Sequence, residues 1–180
     1  AIAKTFFEKA AQLDPFNDEV FFHLGECYFK EESWNKAISY FKHAIRIEDK
    51  REEYFSALAE AYFEAWDTDK AGPLFREATE IAPEQAEYWI KYARFLVDMG
   101  MVEQALDVID EGEEYTGDTS LMYYRCGCLF VLGKRKEAFI LLGNALEDDF
   151  YQHNSLFDLM PVLEEDTDVQ AIIATYQPLH

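Results

Sequence analysis

The sequence is poor in the features that tie a chain to membranes, disulfides or catalysis. No run approaches the ~20 apolar residues of a membrane span, and the first residues lack a charged start followed by an apolar signal region. Cysteine is scarce, with only Cys27, Cys126 and Cys128. An odd number at wide spacing argues against a disulfide framework and for a reducing compartment, so the cytoplasm is the expected location. Basic residues are few as well: 16 Lys and Arg stand against 36 Asp and Glu, a formal net charge of −20. Such a surface repels phosphate backbones and anionic lipid, so neither nucleic acid nor a membrane is an expected partner, while basic partners are favoured. Part of that acidity is what solvated outer helix faces carry in any soluble helical protein. There is no phosphate-binding glycine loop, no GxSxG and no HExxH, and no nucleophile stands beside a base. An enzyme is therefore not expected, and neither is a metal or other cofactor.

Two weaker metal or redox patterns have plainer explanations. His23 and Cys27 lie four apart on one helix face, but no second pair completes a site, and a semi-buried His beside a packing Cys accounts for both. Cys126 and Cys128 fall on different faces of a helix, which argues against a redox pair. The cluster Glu164, Glu165, Asp166 and Asp168 lacks the spacing of a calcium loop and suits a helix N-terminus.

What the chain does have is a period. Pro15, Asp49, Pro83 and Gly117 are each 34 residues apart. Between these breaks the apolar residues recur at helical spacing, in pairs of helices. Ala3, Phe7 and Ala10 mark a first helix that Asp14-Pro15 ends. Phe21, Leu24, Gly25 and Tyr28 are followed by Ala37, Phe41 and Ala44, with Ser33 as a candidate N-cap. Phe55, Leu58 and Tyr62 are followed by Ala71, Phe75 and Ala78, with Pro73 inside the second helix, where it removes one backbone bond. Trp89, Tyr92, Ala93 and Leu96 are followed by Ala105, Ile109 and Gly112. Tyr123, Gly127 and Phe130 are followed by Ala138, Leu142 and Ala145, and this copy runs one residue short near Leu132-Gly133. Moving its register by one would put Arg125 in a core slot, a costly placement, so the register that spares Arg125 is preferred. After Asn154 the pattern changes to a short apolar helix, a turn at Pro161 and a final helix capped by Asp166-Thr167, read as C-terminal capping helices over the open end of a stack. Ala1 is not a Met and opens inside a helical pattern, which reads as a fragment or a processed product.

These residues resemble the tetratricopeptide repeat, a 34-residue pair of helices favouring Trp-Leu-Gly-Tyr in its first helix and Ala-Phe-Ala-Pro in its second. Phe21, Leu24, Gly25, Tyr28, Ala37, Phe41 and Ala44 carry the pattern in one copy; Phe55, Leu58, Ala59, Tyr62, Ala71, Phe75, Ala78 and Pro83 carry it in the next. Gly112 and Gly117 depart from the family's Ala and Pro. The division this gives is a truncated repeat's second helix at 1–17, repeats at 18–51, 52–85, 86–119 and 120–152, and a cap at 153–180. The resemblance implies an all-α fold, a right-handed superhelical solenoid of antiparallel helix pairs that binds protein or peptide in a concave groove lined by the first helices.

By that resemblance the groove slots hold Glu19, Phe22, His23, Glu26, Phe29 and Lys30 in one copy, and Glu53, Ser56, Ala57, Glu60, Phe63 and Glu64 in the next. The third copy offers Glu87, Ile90, Lys91, Arg94, Val97 and Asp98, and the fourth includes Leu121, Tyr124, Arg125 and Cys128. The expected peptide-binding set is Phe22, Glu26, Phe29, Glu60, Phe63, Lys91, Arg94, Tyr124 and Arg125. Arg94 and Arg125 would hold an acidic group while the phenylalanines supply apolar contact. The plainer alternative is that Glu60 pairs with Lys91 or Arg94, that Glu87 pairs with Lys91 one turn away, and that the aromatics only pack. The family's clamp for C-terminal carboxylates needs Lys and Asn where this chain has Phe22 and Glu26, or Ser56 and Glu60, so that ligand is rejected. The expected function is a protein-interaction module. Alternatives are a structural or self-assembling segment of a larger repeat protein, with a homodimer through the open N-terminal helix, or the regulatory part of an enzyme whose catalytic domain lies elsewhere.

Overall fold

The computed structural model describes residues 2–178; Ala1 at the expected start, and Leu179 and His180 at the end of the expected cap, lie outside the described residues. The chain divides into two compact units, one before and one after the Ala82–Pro83 bond. Every described element is helical, and successive helices pack on one another in pairs.

The first unit holds α1 (Ile2–Leu13), α2 (Asp18–Lys30), α3 (Trp34–Ile47), α4 (Glu52–Glu64) and α5 (Thr68–Ile81). Asn17 opens α2 by accepting the Val20 N–H, which satisfies a donor the first turn leaves without a helical partner. Ser33 stands at the N-cap of α3, but its side chain makes no capping bond. Phe21, Leu24, Ala44 and Tyr54 form a buried cluster, to which α1 adds Phe7 and Ala11. Tyr54, rather than the expected Phe55, is the fully buried aromatic of α4, and its hydroxyl donates to Asp18 at 2.7 Å. Gly25 is required because a Cβ there would run into the Phe41 ring. Helix α5 continues through Pro73, which is exposed.

The second unit holds α6 (Ala86–Asp98), α7 (Val102–Thr116), α8 (Thr119–Val131), α9 (Arg135–Asp148), α10 (Asn154–Leu159) and α11 (Thr167–Tyr176). Gly112 makes room for an aromatic: a Cβ there would sit 2.8 Å from Trp89, whose indole N–H donates to the Pro83 carbonyl. The capping segment packs on the last pair, α10 against α8 and α11 against α9. Asp166 caps α11 by accepting from the Asp168 and Val169 N–H groups. Arg135 reaches the same carboxylate through one guanidinium nitrogen, 2.8 Å from both oxygens.

The turns inside the four pairs share one geometry. In each, the second residue past the helix has positive φ: Glu32 (54°), Trp66 (61°), Gly100 (74°) and Gly133 (71°). The next N–H reaches back across the turn, as in Ser33 to Tyr28, Asp67 to Tyr62, Met101 to Leu96 and Lys134 to Leu129. This is the glycine-favouring Schellman closure, built twice without glycine.

The position of the short copy corrects the sequence reading. Helices α2, α4, α6 and α8 all have 13 residues and end in the same turn, so nothing is missing near Leu132-Gly133. The deficit lies before α8. Helix α7 runs one residue longer than α3 and α5, stops at left-handed Gly117, and leaves only Gly117 and Asp118 as a connection. Arg125 therefore occupies the slot of Leu24 and Leu58 after all. Its cost is met by carboxylates, because its guanidinium pairs with Asp110 and with Glu113 (2.8 Å) on α7.

Candidate functional site

In the first unit the first helices of the two pairs, α2 and α4, present the expected face. Phe22 is half-buried, stacked on Tyr54 with ring centroids 4.7 Å apart and 5.6 Å from Phe41, so it is a packing residue at the rim. Phe29 sits edge-on to Trp34 at 5.0 Å. Phe63 is also half-buried. Ser56 is buried, and its hydroxyl has no partner among the described residues.

Between the two helices lies a pocket of about 100 Å³, lined by Glu26, Phe29, Lys30, Phe41, Ala57 and Glu60. Its shape follows from three residues. Gly25 lets the Phe41 ring approach α2, Phe41 itself is buried, and Ala57 is short where the matching slots hold His23 and Lys91. Glu26 accepts from or shares a proton with His23 Nδ1 at 2.7 Å, and that imidazole stacks on Phe7 of α1 at 5.1 Å. His23 is therefore engaged with an aromatic and a carboxylate, and Cys27 is half-buried beside it. Phe41 is the lining residue that the sequence reading placed only in the core; its signal was Gly25, a missing side chain against which the ring could rise.

In the second unit Lys91 pairs with Glu87 one turn away, at 2.9 Å. Arg94 is exposed and makes no ion pair among the described residues, although its charge acts on Asp98 and on the Tyr124 hydroxyl. The other two expected groove residues are corrections. Tyr124 is only 4% exposed, and burial raises its hydroxyl pKa, with the Asp158 charge of α10 adding to the effect. Helix α10 lies close enough to α8 that a Cβ on Gly127 would be 2.7 Å from Leu159. Arg125 turns to α7, as described above, and burial there pushes the Glu113 carboxyl up while the Arg125 charge pulls it down. Cys126 and Cys128 are buried, which pushes both thiols up to about 12 and leaves them protonated and unreactive. Among the described residues no three His, Cys, Asp or Glu side chains gather as a metal would need, and no helix is long and apolar enough to cross a membrane.

Comparison with known proteins agrees with this architecture. Residues 18–51 and 62–124 each match a family model described as tetratricopeptide repeat. Similar solved structures include MamA, 22% identical over 81% of this chain and 85% of that one, with a TM-score of 0.69. YrrB, described as a TPR protein with an unusual peptide-binding site, is 16% identical over 97% of this chain and 93% of its own, with a TM-score of 0.63. Yeast Tom70 is 21% identical over 96% of this chain but 38% of its own length, with a TM-score of 0.69. No curated protein matches the sequence. At these identities the structural likenesses speak for the fold, an all-α solenoid of helix pairs. The chain belongs to the tetratricopeptide repeat family.

Proposed function

We propose that this protein is an interaction module that holds a segment of another protein on the α2–α4 face of its first unit. The carrying observation is the pocket between those helices, which brings Glu26, Phe29 and Glu60 together from the face where a repeat of this family would take a ligand. Phe22 on α2 and Phe63 on α4, both half-buried, would add apolar contact on the same two helices. In the second unit Lys91 and Arg94 supply the basic groups of the same kind of face, with Arg94 the better placed to take a carboxylate because it makes no ion pair. Three unpaired cysteines suit a reducing compartment such as the cytoplasm. The test is capture from native lysate, read by mass spectrometry, with the wild type and with Glu26→Arg/Glu60→Arg, after circular dichroism has shown that the variant folds. A protein retained by the wild type and lost by the variant is the expected result. Equal recovery from both would move binding away from this face.

A second reading, self-association through α1, is favoured by exposed apolar side chains at the N-terminal end: Phe6 is 68% exposed, Leu13 87% and Phe16 79%. Light scattering at rising concentration should show dimer for the wild type and monomer for Phe6→Glu/Leu13→Glu. A monomer in both removes this reading.

A further inference from the structure

The pocket of the first unit has a specific chemistry. Its floor is the buried Phe41 ring and the Ala57 methyl, and Phe29 makes an apolar wall. Glu26 on α2 and Glu60 on α4 line it from opposite helices. Glu26, 2.7 Å from His23 Nδ1, and Glu60 give the apolar cleft an acidic wall, which penalises an acidic or purely apolar occupant. A cation on an apolar stem answers both demands. Its methylenes lie on the rings while its head reaches the carboxylates, and the ring faces add to the attraction. Lys30 also lines the pocket, one turn from Glu26, but it is exposed, and its flexible stem lets its head stay in solvent when another cation enters. At about 100 Å³ the pocket is well below the roughly 300–1,000 Å³ of a free small-molecule site. It is the size of one side chain. The formal net charge of −20 favours the approach of a basic segment.

We propose that the pocket formed by Glu26, Phe29, Phe41, Ala57 and Glu60 receives a single lysine or arginine side chain from a basic segment of a partner protein. This rests on the interaction-module reading above and names the chemistry of its ligand. The probe is a fluorescein-labelled peptide of alanine and lysine, followed by fluorescence anisotropy, with matching alanine–glutamine and alanine–glutamate peptides. Ala57→Leu fills the pocket without changing charge. Glu26→Gln/Glu60→Gln removes its charge. Glu103→Gln/Asp107→Asn removes the same charge from exposed positions on α7. Thermal melts establish that each variant folds.

The expected result is that the lysine peptide binds the wild type, and that the first two variants weaken it about tenfold while the α7 variant changes it less than about twofold. Equal losses from both charge-removing variants, with Ala57→Leu unaffected, would overturn the pocket in favour of unspecific attraction to an acidic surface. If the glutamine peptide binds as tightly and is lost on Ala57→Leu, the cation fails but the interaction face stands. Binding of none of the three peptides, while the lysate partner is still lost from Glu26→Arg/Glu60→Arg, has the same meaning.

Discussion

The first unit leaves its α2–α4 face open around Ala57, whereas the second unit covers the matching part of α8 with its own α10. The contrast arises from small residues put to different uses. Gly25 admits a ring of its own pair, Phe41, and the short Ala57 side chain beside it leaves a vacancy. Gly127 admits Leu159 from the capping segment, and Tyr124 disappears from the surface. The charge differs as well: ten of the 16 basic residues precede Pro83, and α7 carries six acidic residues and no basic one. A repeat family supplies one scaffold, and single side chains decide whether the face of a given copy stays open or is covered.

The largest expected effect tests the pocket floor against its counterpart. Phe41→Ala should destabilise the protein by about 3–5 kcal/mol, and Leu142→Ala, at the same slot of the fourth pair, by about 2–5 kcal/mol. Both are read from urea midpoints, but only Phe41→Ala should also abolish peptide binding. Loss of binding with Leu142→Ala in urea-free buffer, where it remains folded, would break the distinction between the units.

Next comes the Arg125 slot, where the first unit uses Leu24 and Leu58. Arg125→Leu should cost about 1–3 kcal/mol, because Glu113 keeps a half-buried carboxylate without its partner. Adding Glu113→Gln should restore most of the loss in chemical denaturation. No recovery in the double variant would mean that packing, not charge, holds this slot.

A smaller effect separates the turns. Trp66 is 89% exposed at a φ of 61°, a conformation that glycine adopts freely in the second unit. Trp66→Gly should stabilise by about 1 kcal/mol, and Gly100→Ala should destabilise by a similar amount. A lower melting temperature for Trp66→Gly would show that the indole makes a contribution the turn geometry hides.

The smallest effect concerns the capping latch. Arg135 holds the Asp166 carboxyl below its usual range, with backbone N–H bonds helping. A depressed acid contributes stability above its unfolded pKa and loses it as pH falls through the folded value. The acid limb of stability should therefore be shallower in Arg135→Met. Identical acid limbs in the two proteins would remove the latch from the account.

The helix pairs were legible because their apolar residues repeat at a constant period and because glycine and proline mark the breaks. The register of the fourth pair was not, because desolvation alone disfavours Arg125 in a buried slot, and only the fold shows Asp110 and Glu113 on the preceding helix to meet its charge. Tyr124 was misplaced for a related reason: nothing in the spacing of α8 reveals that α10 folds back onto it. Glu26, Phe29 and Glu60 were legible as residues of one face, but the cavity between them depends on how far Phe41 rises beside Gly25, a matter of packing that no linear pattern encodes.

The proposed receptor face is α2–α4 of the first unit, whereas α10 covers α8 in the second. Amide shift mapping by NMR with the alanine–lysine peptide tests it most directly. Saturable shifts centred on Glu26, Phe29, Ala57 and Glu60 are expected, with Tyr124 and Gly127 unmoved. Shifts centred on α8 and α10, or spread along the acidic face of α7, would contradict it.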